Sequence, residues 1–372
     1  MKTEKFFING TGYSARKVFI IAELGTSHGA DKTKAGELIE AAAEAGADCI
    51  KFQMIHAREI LHPRTGEVSL PGGTIRLYDR FRELELPLSF FAEMKETVEK
   101  RGLVFLCTPF GLQSARELKE LEPKCLKIAS PELNYTALLR EVASYRLPLF
   151  LSTGVSKLGD IEAALAIAGR PGESAPACLL HCVTAYPAPE TDYNLRVLGS
   201  LGAVFGVPVG ISDHSLDPEL VPVLGTALGA VAIEKHFCLS RNDPGLDDPI
   251  ALPPPSFARM VRAIRAAAQN GPEETLAAMR RERGEDLVER ILGDGVKRLA
   301  PSEESNYGRT NRSVHALRDI AQGEVIREDM IASLRTEKNL RPGLPPSWEA
   351  AIAGRRAARF IAAGDGVCLE DL

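Results

Sequence analysis

The sequence predicts an α/β protein, a (β/α)8 barrel followed by a small β-rich domain. Two observations predict the barrel. From residue 18 to about 270, apolar strand-like runs alternate with amphipathic, often Ala-rich helical stretches. Eight such strands are present, and eight parallel strands joined by crossover helices close a sheet on itself. The rival architecture, an open doubly wound sheet, calls for a G-x-G-x-x-G turn after its first strand, and that turn is absent. A change of texture near residue 306, to short strand-like pieces broken by Gly and Pro, predicts the second domain.

The strands are expected at Val18 to Leu24, Cys49 to Met54, Leu103 to Phe110, Cys125 to Ser130, Leu147 to Gly154, Ala177 to Pro187, Val207 to His214 and Ala230 to Phe237. Helical patterns run from Lys34 to Ala45, Ser89 to Lys100, Gln113 to Leu121, Asp160 to Ala168, Pro218 to Leu228 and Ser256 to Gln269. Gly46, Gly102 and Gly229 stand where three helices should stop. The connection 55–87, holding His56, His62 and Tyr78, is far longer than the usual loop of about 2–6 residues and reads as a lid or binding segment. The domains expected are a barrel over 1–275, a linker over 276–305 and a β-rich module over 306–372. That module carries 10 Lys+Arg against 9 Asp+Glu, while the rest carries 35 against 41.

Composition narrows the function. The chain has 372 residues, 45% of them hydrophobic and 26% charged, as in an ordinary globular protein. A net charge of −5 argues against nucleic-acid or anionic-membrane partners, so an anionic ligand must be held by local lysines. The start lacks the apolar segment of a signal peptide and no run is long enough to span a membrane, so a cytoplasmic protein is expected. Seven cysteines are an odd number, and most lie in apolar strand-like runs, which predicts buried free thiols. Cys178 and Cys182 lack the second pair of a zinc site.

The C-terminal ends of barrel strands are where such enzymes carry their chemistry. Here those ends hold Glu23, Lys51 with Gln53, Thr108, Lys127 with Ser130, Ser152 with Thr153, His181 with Thr184, Ser212 with Asp213 and His214, and Glu234 with His236. Alternation puts Glu234 and His236 on one face of the last strand and Lys235 on the other. Charges at the ends of apolar strands are costly to bury unless they pair or bind something. Two lysines with several hydroxyls suit a phosphate or carboxylate. His214 and His236, on neighbouring strands, suit one exchangeable divalent ion, Mn²⁺ or Mg²⁺, that keeps positions open for water or substrate.

These residues sit in motifs that resemble, in order, the sialic acid synthase family. The motifs are Ile21-Ala22-Glu23-Leu24-Gly25, Lys51-Phe52-Gln53, Thr108-Pro109-Phe110, Lys127-Ile128-Ala129-Ser130, Leu151-Ser152-Thr153-Gly154, Leu180-His181-Cys182, Tyr186-Pro187-Ala188-Pro189, Gly210-Ile211-Ser212-Asp213-His214 and Glu234-Lys235-His236-Phe237. The tail, with Asn311-Arg312-Ser313-Val314 and Arg341-Pro342-Gly343-Leu344, resembles that family's antifreeze-like SAF domain. The resemblance implies condensation of phosphoenolpyruvate with an N-acylated aldose, with release of phosphate. It implies that Lys51, Thr108, Lys127, Ser130, Ser152 and Ser212 hold phosphoenolpyruvate and that His214 and His236 hold the metal. It further implies that Glu23 and Glu234 transfer protons, and that Tyr186 and Asp247 contact the sugar at an end also carrying Gln53 and Thr184. Arg312 would reach the sugar from a partner subunit, in a domain-swapped homodimer.

The departures fall on the sugar side. Ser27 stands where the family usually has Asn before His28, Pro131 where it has Gly, Val183-Thr184 where it has Asn or Ser, Asp247-Asp248 where it has Asp-His, and Asn311 where it has Arg. An aldose other than N-acetylmannosamine is therefore compatible with the sequence. The alternatives are another phosphoenolpyruvate-dependent aldol-type synthase, or a non-catalytic or altered-specificity paralogue in surface-polysaccharide synthesis.

Overall fold

The computed structural model describes residues 5–70, 73–169, 176–337 and 339–372. It opens with a hairpin of β1 (Phe6–Ile8) and β2 (Thr11–Tyr13), which the sequence patterns had not announced. The barrel strands are β3 (Phe19–Glu23) and β4 (Cys49–Met54), then, after the hairpin β5 (Glu67–Leu70) and β6 (Gly73–Arg76), β7 (Val104–Pro109), β8 (Leu126–Ile128), β9 (Leu149–Ser152), β10 (Ala177–His181), β11 (Val209–Asp213) and β12 (Ala232–His236). They form one parallel sheet in the order β7-β4-β3-β12-β11-β10-β9-β8. β7 and β8 lie side by side without a hydrogen-bonded ladder, so the barrel is nearly closed.

Local chemistry explains the elements. In the first barrel helix, Lys32–Glu44, Asp31 accepts from the amides of Thr33 (2.7 Å) and Lys34 (3.1 Å), satisfying donors that have no partner within the helix. Ala35, Leu38, Ile39 and Ala42 recur at helical spacing and are buried, which gives the helix its inner face. It stops at Gly46, whose φ of +92° a side-chain-bearing residue rarely adopts.

Inside the barrel, Phe19, Ile21, Cys49, Leu106, Cys125, Phe150, Cys178, Leu180 and Ala232 form a separate apolar layer with Phe6, Ile8 and Tyr13 of the hairpin. Phe6 meets Phe150 edge-on at 4.8 Å, and Phe19 stacks on Phe150 at 5.8 Å. The hairpin thus plugs the N-terminal end. Cys49, Cys107, Cys125, Cys178, Cys182 and Cys238 are buried free thiols, as expected.

The stretch expected as a linker opens with helix. Helices Pro272–Arg283 and Glu285–Leu292 bury Met279, Val288, Ile291 and Leu292 in the main barrel core, because apolar residues recur on one face of each. An irregular connection follows from residue 293. The C-terminal domain pairs β13 (Arg312–Ala316) with β14 (Ile331–Arg335) around Val314, Ile320, Ile326, Met330 and Val367. The long insertion has structure of its own, the helices Ala57–Ile60 and Leu77–Glu83 as well as the β5–β6 hairpin. It seats the C-terminal domain: Asn339 Nδ2 donates to the carbonyls of Thr65 (2.8 Å) and Glu67 (2.7 Å), and Arg64 Nη1 donates to that of Ala363 (3.2 Å). Among the described residues, no helix is long and apolar enough to cross a membrane.

Candidate active site

Sheet register assembles the site. Lys51 lies opposite Glu23, Glu23 opposite His236, Ser212 opposite Glu234 and Gln53 opposite Thr108. Two-residue alternation then turns these side chains inward, one layer above the apolar plug. As the sequence predicted, Lys235 points the other way, where its Nζ meets Asp213 Oδ2 at 2.6 Å.

The centre is a compact charge network. Lys51 Nζ lies 2.8 Å from Glu23 Oε2 and 3.4 Å from Glu234 Oε1. Gln53 Nε2 donates to Glu23 Oε1 (2.6 Å), and Ser212 Oγ donates to Glu234 Oε1 (3.0 Å). Lys127 Nζ is less well matched, its ion pair being Glu234 at 3.6 Å. Burial alone would push the Lys51 ammonium down, but Glu23 and Glu234 more than reverse this and hold its pKa above the ordinary value. Lys127 is pushed down, chiefly by burial, which the Glu234 charge only partly offsets. Burial would raise Glu234, yet Lys127, Lys51 and His236 bring it to about 2.

Several buried polar atoms at this end of the barrel have no hydrogen-bond partner among the described residues: Thr108 Oγ1, Ser152 Oγ, Thr184 Oγ1 and Glu234 Oε2. Such groups are costly to bury unsatisfied, so a concentration of them marks a ligand seat. Ser130 differs from the hydroxyls grouped with it, since its Oγ accepts from Gly154 N (3.0 Å) and touches Cys182 Sγ (3.0 Å).

The two histidines stand nearer the mouth, with ring centroids 5.7 Å apart. His214 Nδ1 bonds the Val183 carbonyl (2.7 Å), which leaves Nε2 toward Tyr186 Oη at 3.3 Å. Burial, with His236 nearby, lowers His214 to about 3, so it is a neutral imidazole whose Nε2 faces the Tyr186 hydroxyl. The two imidazoles are the nitrogen donors at this end of the site, and the described residues offer no cluster of three or more His, Cys, Asp or Glu around them that could hold a metal ion by itself. Tyr186 stacks on His214 at 4.3 Å and is 47% exposed, and Asp247 Oδ2 lies 3.9 Å from His236 Nδ1. Tyr186 and Asp247 therefore rim the opening.

The family model described as the NeuB family matches residues 38–274, and that of the SAF domain matches residues 311–372. The chain belongs to the NeuB family. Among relatives within or beside this NeuB group, N,N'-diacetyllegionaminic acid synthase of Campylobacter jejuni is 33% identical over 325 residues, covering 86% of this chain and 91% of that protein. The crystal structure of the spore coat polysaccharide biosynthesis protein SpsE from Bacillus subtilis superposes with a TM-score of 0.82 at 32% identity, covering 99% of both chains. That of N-acetylneuraminic acid synthetase from Leptospira borgpetersenii, in complex with citrate, gives 0.65 at 31%, covering 82% of this chain and 95% of that one.

Two residues singled out in the sequence of this NeuB chain lie outside the central network. His181 turns outward from β10, its Nε2 bonding the Tyr193 carbonyl (2.6 Å), because its position has the parity of Leu179 and not of Leu180. Arg312 is hydrogen-bonded within its own chain. Its Nε donates to Glu132 Oε1 (3.0 Å), Nη2 to the Phe110 carbonyl (2.6 Å), and Nη1 to the carbonyls of Glu59 and Ser333. Asn134 brackets its backbone, and Arg335 shares Glu132 at 2.9 Å. The sequence reading missed Arg335 and Glu132 as a domain clamp. Their only signal was an acid two residues past a motif and a basic residue ending a strand.

Proposed function

We propose that the chain is a phosphoenolpyruvate-dependent synthase that joins phosphoenolpyruvate to an N-acyl hexosamine-type aldose, forming a nonulosonic acid and phosphate. The observation that carries this reading is the poorly compensated Lys127 beside the unpartnered hydroxyls of Thr108, Ser152 and Thr184, a seat for a phosphate or carboxylate. The names of the relatives, a legionaminic acid synthase and an N-acetylneuraminic acid synthetase, support the product class.

In this reading Lys51 and Lys127 hold the anion while Tyr186, Asp247 and His236 receive the aldose at the mouth. A divalent ion on His214 and His236 supplies Lewis-acid polarisation of the aldehyde when bound. C3 of phosphoenolpyruvate attacks the aldehyde carbon, which forms the new C–C bond and leaves C2 electron-poor. Glu234, ionised and with Oε2 unpartnered, accepts a proton from the water that adds to C2. The C2–O bond to phosphate then breaks, and phosphate leaves with its bridging oxygen and the remaining proton of the C2 hydroxyl, which becomes the ketone. Glu23, beside Lys51 and Gln53, passes the proton taken up by Glu234 to the former aldehyde oxygen, so both carboxylates end ionised. The Ser27–Asp248 hydrogen bond, formed where the family differs, favours an acceptor other than N-acetylmannosamine. A homodimer belongs to the same proposal.

The test is phosphate release from phosphoenolpyruvate with Mn²⁺ across N-acetylmannosamine, its 6-phosphate, mannose and diacetamido-trideoxyhexoses. Release with one aldose supports the reading, and a protein that neither binds phosphoenolpyruvate nor releases phosphate overturns it.

A further inference from the structure

Glu303 lies outside the barrel strands, in the connection to the C-terminal domain, and is 1% exposed. Its Oε2 accepts two backbone hydrogen bonds, from Val155 N (2.9 Å) and Thr184 N (2.8 Å), and its Oε1 accepts one from Ala300 N (3.1 Å). Val155 ends the turn after β9, three residues beyond Ser152, and Thr184 lies in the loop after β10, two residues before Tyr186. One carboxylate oxygen thus ties together two loops of the candidate site.

The same connection also holds the backbone carbonyls of these two residues. Asn306 Nδ2 donates to the Thr184 carbonyl (3.1 Å), and Asn311 Nδ2 donates to the Val155 carbonyl (3.1 Å). The N–H and C=O of each loop residue are therefore both committed to residues 303–311. Val155 has φ of +41°, a left-handed conformation that a β-branched residue adopts only when its surroundings impose it. The two loops also touch directly. A Cβ on Gly154 would stand 2.1 Å from Thr184 Oγ1 and 2.8 Å from Cys182 Sγ, so only glycine allows the approach.

We infer that Glu303 is a positioning residue for the anion seat, holding the β9 and β10 loops at the separation that presents Ser152 Oγ and Thr184 Oγ1 to one ligand. The inference rests on the function proposed above. It adds that the connection to the C-terminal domain sets the geometry of the seat, although none of its side chains enters the seat. A carboxylate suits the task because one oxygen accepts two amides and the other is left to anchor the connection at Ala300.

The test uses the full-length chain with Glu303→Gln, Glu303→Ala and Asn306→Ala. Calorimetry measures phosphoenolpyruvate and inorganic phosphate, and hydrogen exchange reads the Val155 and Thr184 amides. Gln keeps one acceptor and should weaken both anions by roughly tenfold, with Ala on the order of 100-fold weaker, as expected for losing hydrogen bonds to a charged acceptor. Exchange at both amides should rise, while Mn²⁺ binding stays unchanged. Should Glu303→Ala fail to fold, Asn306→Ala, at a half-buried position, should show a smaller loss of anion affinity in the same direction. Lowered melting temperature with unchanged anion affinity in Glu303→Gln and Asn306→Ala overturns the positioning role and leaves the proposed function standing. A wild-type chain that binds neither anion overturns both.

Discussion

Lys235 Nζ and Asp213 Oδ2 lie 2.6 Å apart with no exposed surface, on the outer faces of the two strands whose inner faces carry Glu234 and Ser212. Asp213 Oδ1 also accepts from Ser215 N (2.9 Å), and Lys235 donates to the Ser215 carbonyl. The pair fixes the relative position of β11 and β12 from behind, so the inward side chains are held from outside the site.

Removing one partner leaves a buried charge alone. Lys235→Met should therefore cost about 3–5 kcal/mol, read by urea unfolding, and Lys235→Met with Asp213→Leu should recover much of it. An unchanged midpoint in the single variant would show that the pair contributes nothing.

Lys127 is buried against one carboxylate at 3.6 Å, a poor arrangement for the empty protein. Lys127→Met should weaken phosphoenolpyruvate binding by about 2–3 kcal/mol while leaving the melting temperature equal or higher. Stability lost with affinity kept would reverse the assignment.

His236→Ala removes one of the two imidazoles facing each other at 5.7 Å. We expect Mn²⁺ affinity to fall by at least tenfold, on the order of 1.4 kcal/mol or more, and metal-dependent turnover to disappear with the fold intact. Full activity of the wild type in chelator would contradict the metal assignment.

Acid should destabilise the protein through histidines other than that pair. Burial, aided by Lys34, lowers His28 to about 4; burial, aided by Lys297, lowers His181 to about 3; burial lowers His315 to about 4. A depressed folded-state pKa means stability that is complete above the unfolded value of 6.5 and is lost as pH falls through 6.5 toward 4 and 3. Each group accounts for on the order of 3 kcal/mol when fully protonated. His315→Gln should flatten the stability profile between pH 6.5 and 4, and an unaltered profile would show that His315 titrates normally.

The barrel was legible because eight strands written in Val, Ile, Leu, Phe and Cys repeat with helices between them, and each carries a polar residue at or near its C-terminal end. Alternation placed Glu234 and His236 on one face, while Glu23, Lys51, Lys127 and Ser212 stood out by their position at strand ends and by the family resemblance. The β1–β2 hairpin was not legible, since three-residue strands carry too little pattern, and its apolar residues find a partner only once the barrel exists. Glu303 escaped notice because its partners are backbone amides 148 and 119 residues away, a contact that no spacing rule encodes.

The aromatic stopper at the N-terminal end makes the barrel a vessel with a single opening. Lys127 and Ser152 lie near the floor, each 2% exposed, while Tyr186 at the rim is 47% exposed. A sugar resting against Tyr186 would cork the deeper anion inside, so the anion must load first and the deeper product must wait for the shallower to depart. Compulsory order is then a property of shape, and initial-rate patterns showing random addition would mean that the rim opens during turnover.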